Sequence, residues 1–203
     1  QHNYNYYVLD SPTISDYEFD HLLKTLQELE DQYPEYYDPN SPTQRIGGEV
    51  TKVFETVSHK FPMFSLDNSY SKEEILDWEK RNHKLLGSEE LEYTCELKYD
   101  GASINLSYNE GQLSRGVTRG DGVEGDDVTS NIKTIRSIPI VLRQSEMIPN
   151  DFEIRGEIIL PLKGFEKMNR DRIEAGEDPY RNPRNTASGT LKLQDSAEVA
   201  SRP

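Results

Sequence analysis

Seven residues near the middle of the chain, CELKYDG (Cys95–Gly101), set a lysine two positions from an acid on either side and close on a glycine. Read as a strand, the segment turns Glu96, Lys98 and Asp100 to one face and Cys95, Leu97 and Tyr99 to the other, because successive side chains alternate. Two chemistries fit such a face. One is a solvated, ion-paired strand surface, a common arrangement. The other is a lysine held as a nucleophile: its amine attacks only when unprotonated, a form favoured by desolvation or by nearby cations. The flanking carboxylates act in the opposite sense, so a reacting Lys98 needs positive charge from a metal or from Arg or Lys neighbours. Gly101 marks a bend or a close backbone approach. Cys95 and Leu97 require a core behind the strand, which would make it a firm mount for a reacting group.

Four other stretches carry reactive types. TRGDGVEGDDV (118–128) opens on Arg119 and has glycines at 120, 122 and 125. It lacks the G-K-[ST] of a Walker loop. Its acids Asp121, Glu124, Asp126 and Asp127 allow a calcium loop without EF-hand spacing, or a solvated acidic turn. In EIRGE (153–157), alternation puts Glu153, Arg155 and Glu157 on a polar face, either a surface strand or a second floor for the pocket that Lys98 faces. NPRNTASG (182–189) reads as a loop built to use backbone donors, with Arg184 able to grip a phosphate through two parallel bonds and Lys192 following. YYVLDSPTISDYEFD (6–20) crowds Tyr6, Tyr7 and Phe19 with Asp16 and Asp20 around a helix start. Acids there complement the helix dipole. Combined with aromatics they also form the kind of cluster that holds a flat cationic ring.

The elements that must position these groups follow from periodicity. Ser15 and Glu18 form a capping box for a helix over 15–33, with Phe19, Leu22, Leu23, Leu26 and Leu29 at helical spacing and Pro34 ending it. Residues 36–43 and 46–48 are rich in turn formers, and a domain boundary is expected near 52. A second box, SKEE, opens a helix at 71–86, with Ile75, Trp78 and Leu85 on one stripe and Gly87 closing it. From residue 92 the period becomes two. Strands are expected at 92–100 and 102–108, the second with Ala102, Ile104, Leu106 and Tyr108 on one face. A turn at 109–111 and a return strand complete a hairpin. A further strand at 151–161 turns Phe152, Ile154, Ile158 and Leu160 inward, and a helix over 163–175 ends at Gly176. The last stretch is a polar loop leading into a short helix. The fold class is α+β: a small helical unit over 1–52, then an antiparallel-sheet domain with helices over 53–203.

The totals exclude several classes. The 203 residues carry 23 Lys plus Arg against 37 Asp plus Glu, a formal net charge of -14, so this chain is not by itself the main clamp on a nucleic-acid backbone. One cysteine rules out an internal disulfide and a multi-thiolate zinc cluster. With no signal-like N-terminus, a cytoplasmic setting is expected. No apolar run approaches the ~20 residues of a membrane helix, so no membrane partner is expected. A start at Gln1 and an end at ASRP read as a piece of something longer.

In this order and spacing, YYVLDSPTISDYEFD, MFSLDNSY, CELKYDG, TRGDGVEGDDVTSN, IRGE and NPRNTASGTLKLQD resemble the N-terminal part of the bacterial NAD-dependent DNA ligases over nearly the whole chain. KYDG is similar to the adenylation motif shared by DNA ligases, RNA ligases and mRNA-capping enzymes. The resemblance implies an antiparallel-sheet nucleotidyltransferase domain, ATP-grasp-like and incomplete at its C-terminal side, preceded by a small helical domain that recognises nicotinamide mononucleotide. It implies that Lys98 attacks NAD and carries AMP, with Asp100 orienting the lysine and ribose. Glu96 would contact adenine, Arg119 the nucleotide and Glu157 the ribose hydroxyls. Ser65 and Leu66 would line the NAD site, Arg184 and Lys192 would meet phosphate or DNA, and Tyr6, Asp16, Phe19 and Asp20 would hold the nicotinamide mononucleotide. The partners implied are NAD, magnesium or manganese, and nicked double-stranded DNA, in a monomer serving replication and repair. No residue is assigned as a metal ligand, and zinc belongs only to a cysteine-rich module that the family carries further on. Phe19 stands where the family usually has Tyr, and Tyr7 where some members have His. Two rival readings are an ATP-dependent ligase or capping-type enzyme using the same lysine, and a non-catalytic piece that only folds or only binds a nucleotide or protein.

Overall fold

In the computed structural model the described residues are 2, 5, 13–45, 53–87, 90–143 and 147–203. Tyr6, Tyr7, the side chain of Asp16 and the boundary expected near 52 lie outside them.

Helix α1 (Asp16–Gln32) starts as its capping box dictates. The Ser15 hydroxyl accepts from the Glu18 N–H at 3.3 Å, and the Glu18 carboxylate accepts from the Ser15 N–H at 2.8 Å. Those hydrogen bonds, led by the one from the Ser15 N–H, hold the Glu18 carboxyl below its usual range. Tyr33 caps the helix, and Pro34 after it opens a 3-10 turn over Pro34–Tyr36. The chain then doubles back, because Glu30 accepts from the hydroxyls of Ser41 and Thr43. A second 3-10 turn (Pro42–Arg45) delivers Arg45, whose guanidinium donates to the carbonyls of Lys133, Ile135 and Ile138, each at 3.1 Å. Carbonyls at a helix C-terminus lack intrahelical partners, and Arg45 supplies them for helix α3 (Thr129–Thr134).

Helix α2 (Lys72–Leu86) is capped by Ser71 and closed by Gly87 at φ 64°. Its capping box is half made, since Glu74 accepts from the Tyr70 N–H at 2.6 Å instead of from Ser71. Ile75, Trp78 and Leu85 are exposed.

Strand β2 (Ala102–Asn109) is the centre of a three-stranded antiparallel sheet, with β3 (Gln112–Thr118) on one side and β5 (Asp151–Ile158) on the other. The β2–β3 turn needs left-handed backbone, and Glu110 (φ 49°) and Gly111 (φ 76°) supply it. Two short strands, β1 (Thr56–Ser58) and β4 (Glu124–Asp126), pair antiparallel beside them. The β2 face of Ile104, Leu106 and Tyr108 joins Leu113, Val128, Ile132 and Leu191 in the core. Tyr108 stacks on Phe152 with centroids 5.2 Å apart, while its hydroxyl donates to the Pro139 carbonyl at 2.8 Å. Helices α4 (Leu162–Glu174), α5 (Pro183–Leu191) and α6 (Ser196–Ala200) complete an α+β architecture.

Three expectations are corrected. Residues 92–100 form no strand: both edges of β2 are already taken, and among the described residues no ladder includes this segment. Cys95 and Leu97 therefore face solvent, Leu97 at 78% exposure, instead of backing onto a core. Ile154 is also exposed, because β5 is an edge strand and its outer half has no covering layer among the described residues. Residues 183–189 are helix α5, not a loop. Asn182 caps it by accepting from the Asn185 N–H at 3.1 Å, and Pro183 occupies the first turn, where a missing N–H costs nothing.

Candidate active site

A cavity of about 1060 Å³ opens above the β2–β5 edge. Its floor is the run Glu96–Ser103 together with Arg155–Glu157, one wall is Met63–Leu66, another is Thr118–Gly120, and α5 contributes Arg184, Asn185 and Ser188, with Lys192 beyond it. Of the sequence-predicted site residues, Lys98, Asp100, Glu96, Arg119, Glu157, Ser65, Leu66, Arg184 and Lys192 all line this one cavity. Phe19 and Asp20 do not. They line a separate cavity of about 450 Å³ with Leu23, Arg45, Thr134 and Arg136. The two cavities share no lining residue.

Local geometry explains how each side chain is held. Gly101 is buried, and a Cβ there would overlap the Ile158 carbonyl, so only glycine lets the chain run this close to β5. Asp100 pairs with Arg184 at 3.2 Å. Ser103 and Glu157 are opposite one another across the ladder, and the Ser103 hydroxyl donates to the Glu157 carboxylate at 2.7 Å. Arg119 donates to Ser65 Oγ at 3.2 Å. Lys192 pairs with Asp126 at 2.7 Å. None of the described salt bridges uses Lys98.

The charge balance of the cavity differs from that of the chain. Five cations (Lys98, Arg119, Arg155, Arg184, Lys192) face three carboxylates (Glu96, Asp100, Glu157), in a protein of net charge -14. A concave site of this sign concentrates anions such as phosphates. It also supplies the positive surroundings that a lysine flanked by Glu96 and Asp100 needs. Asp121, a calcium-ligand candidate by sequence, accepts at Oδ1 from the N–H groups of Glu124 (2.9 Å) and Val123 (2.8 Å), which hold its carboxyl below the usual range. Among the described residues no three His, Cys, Asp or Glu groups converge on a metal position.

Arg155, which donates to the Phe61 carbonyl at 2.7 Å from inside the cavity, stood on the predicted polar face without being given a role. Asn131 ends the TRGDGVEGDDVTSN stretch, and His59 belongs to no motif of the sequence. Both act through hydrogen bonds to residues far along the chain, which no local pattern announces.

Fold and cavity together define a class: an α+β protein with a large, cation-rich site whose floor carries Lys98. Comparison with known proteins narrows it. Residues 51–203 match the NAD-dependent DNA ligase adenylation domain, and residues 1–47 match the DNA ligase-like N-terminal NAD+-binding domain. The chain belongs to the NAD-dependent DNA ligase family. It is 68% identical over its full length to a DNA ligase of Flavobacterium psychrophilum and 65% identical to one of Flavobacterium johnsoniae, covering 30% of each. Against a DNA ligase of Thermotoga neapolitana it is 53% identical over 99% of the chain and 28% of that protein. The chain thus spans about 30% of the length of the relatives it matches.

Proposed function

We propose that this chain is the adenylation part of an NAD-dependent DNA ligase and that Lys98 is its nucleophile. The observation carrying this reading is the single cavity in which Lys98 meets Glu96, Arg119 and Glu157, with cations in excess. In the first step the Lys98 Nζ lone pair forms a bond to the α-phosphorus of NAD. The bond from that phosphorus to the bridging oxygen breaks, nicotinamide mononucleotide leaves with the electrons, and the amine sheds its proton to solvent. Arg119 and Arg184 hold phosphate oxygens, Glu157 binds ribose hydroxyls, and Glu96 reads adenine. Tyr6, Asp16, Phe19 and Asp20 hold the nicotinamide half. The AMP then passes to the 5′-phosphate at a DNA nick, and the 3′-hydroxyl displaces it to seal the strand.

Magnesium needs only one or two carboxylates plus substrate phosphates, and Asp100 and Glu157 offer hard oxygen donors on the floor of this cavity. When bound there, magnesium supplies neutralisation of phosphate charge.

Intact-mass spectrometry after incubation with NAD and magnesium tests the reading. The expected result is one AMP per chain, none with ATP in place of NAD, and none on Lys98→Arg, whose guanidinium stays protonated. AMP on Lys98→Arg would overturn the assignment of the nucleophile.

A further inference from the structure

We propose that His59 is a positioning residue for Arg119, fixing the backbone from which that guanidinium reaches the nucleotide. The proposal rests on the reading of the Lys98 cavity given above. Arg119 lies just after β3 in a loop whose glycines sit at φ 57° (Gly120) and 96° (Gly122). Such a loop has little side-chain mass to hold it. Its order comes from hydrogen bonds to its backbone, and three of them converge on the Arg119 peptide groups. Its N–H donates to the Ser103 carbonyl on β2 at 3.1 Å, and its carbonyl accepts from the Gly122 N–H at 3.0 Å. The third is a side chain, His59 Nε2, 3.1 Å from the same carbonyl. A carbonyl oxygen only accepts, so Nε2 carries the hydrogen. Nδ1 is buried with no partner among the described residues.

His59 is itself anchored. It follows β1, and its N–H donates to the Val123 carbonyl at 2.8 Å. Four residues on, the Met63 N–H donates to the Gly122 carbonyl at 2.8 Å, and a Cβ at Gly122 would come within 2.7 Å of the Met63 carbonyl. The strap 59–65 therefore lies directly on the Arg119 loop. It ends at Ser65, which receives the Arg119 guanidinium at 3.2 Å. Strap and loop grip each other at both ends, and His59 is the one side chain of the strap that holds the Arg119 peptide itself.

The test is steady-state adenylation by the protein carrying this chain. Losing one hydrogen bond behind a substrate-contacting residue weakens ground-state and transition-state binding alike, which raises KM and leaves kcat. His59→Leu is expected to raise KM for NAD by roughly 3- to 10-fold, the range one hydrogen bond supplies, with kcat within about 2-fold. His59→Gln, whose Nε2 reaches a similar position, is expected to restore KM. In an Arg119→Ala background, His59→Leu is expected to add less than about 2-fold, since residues acting through one another are non-additive. Should His59→Leu not fold, His59→Asn replaces it, being polar but too short to reach the carbonyl. A wild-type KM for the folded loss variant, or its full effect persisting beside Arg119→Ala, would overturn the proposal. Either result leaves the Lys98 reading standing if Lys98→Arg still takes no AMP.

Discussion

Asn131 offers the sharpest test of how the cavity is held together. It is 1% exposed, in α3, and its Nδ2 donates to the carbonyls of Leu191 and Leu193 at 2.8 Å each. Both partners only accept, so the amide orientation is fixed by chemistry. Between those two carbonyls sits Lys192, and one amide thus ties the end of α5 and a cavity cation to the core. Asn131→Ala removes both hydrogens and leaves two carbonyls without donors. At ~1–3 kcal/mol for each acceptor stranded in the interior, and the low end for Leu193, which is only partly buried, the loss is about 2–4 kcal/mol. For a domain of this size that lowers Tm by roughly 5–15 °C. Asn131→Asp keeps the shape but points carboxylate oxygen at carbonyl oxygen, so at neutral pH it should cost at least as much. Protonation would return one donor, so part of the loss should be recovered in acid. Urea denaturation of the three proteins, followed by their Tm, measures this. If both variants lie within about 0.5 kcal/mol of wild type, the typical range for neutral surface changes, the amide is not a tie and the reasoning fails.

Two further outcomes follow from the N-terminal unit. Hydrogen bonds from Ser41, then Thr43, hold the Glu30 carboxyl below its usual 4.5. A carboxylate with a depressed folded pKa stabilises above its unfolded value, and that contribution fades as pH falls through the folded one. The docking of α1 on residues 38–45 should therefore loosen below about pH 4.5. Glu30→Gln should flatten that acid limb in a Tm-against-pH series, and an unchanged limb would assign the loss elsewhere. In the full-length protein that carries this chain, Tyr6→Ala or Asp16→Ala should cut AMP transfer from NAD by more than about 10-fold, the scale of a cation–π contact or a charged hydrogen bond. Joining of a pre-adenylated nick, which needs no nicotinamide, should be largely spared. Equal loss of both activities would make residues 6–20 scaffold.

Legibility followed the sequence separation of the interactions. The Ser15–Glu18 box, the Ser71 cap, the Glu110–Gly111 turn and the Gly176 helix end involve partners within four residues of one another, and each was readable from residue types. The hairpin and the core face of β2 were readable too, because period-two burial is written into Ile104, Leu106 and Tyr108. What failed was pairing. CELKYDG alternates like a strand, but alternation does not say whether an edge is free to receive it. Ile154 alternates correctly and still faces solvent, because burial needs a covering layer as well as a face. The predicted site residues from Ser65 to Lys192 share one cavity, whereas Phe19 and Asp20 line another. Arg45, His59 and Asn131 act across 60 residues or more, and single residues at such distances leave no periodic trace. One local signal was legible in principle: Asn182 followed by Pro183 is a helix start.

The failed strand changes what holds the nucleophile. A lysine in the middle of a laddered strand would inherit precision from hydrogen bonds on both sides. Residues 92–100 have no ladder among the described residues and are held instead near their ends. At one end the Tyr93 ring lies 5.6 Å from that of Trp78, and its hydroxyl donates to Glu79 at 3.2 Å. At the other, Asp100 pairs with Arg184, and Gly101 presses on the Ile158 carbonyl. The ion pair is more than half exposed on both sides, 54% and 69%, so it holds by no more than about 1 kcal/mol. The glycine contact is different in kind. It is steric, it involves backbone on both sides, and no side chain can be fitted into it. Lys98 stands three residues from that contact. In the K-x-D-G motif the glycine therefore sets where the chain enters β2, and the Asp100–Arg184 pair adds little to that anchoring.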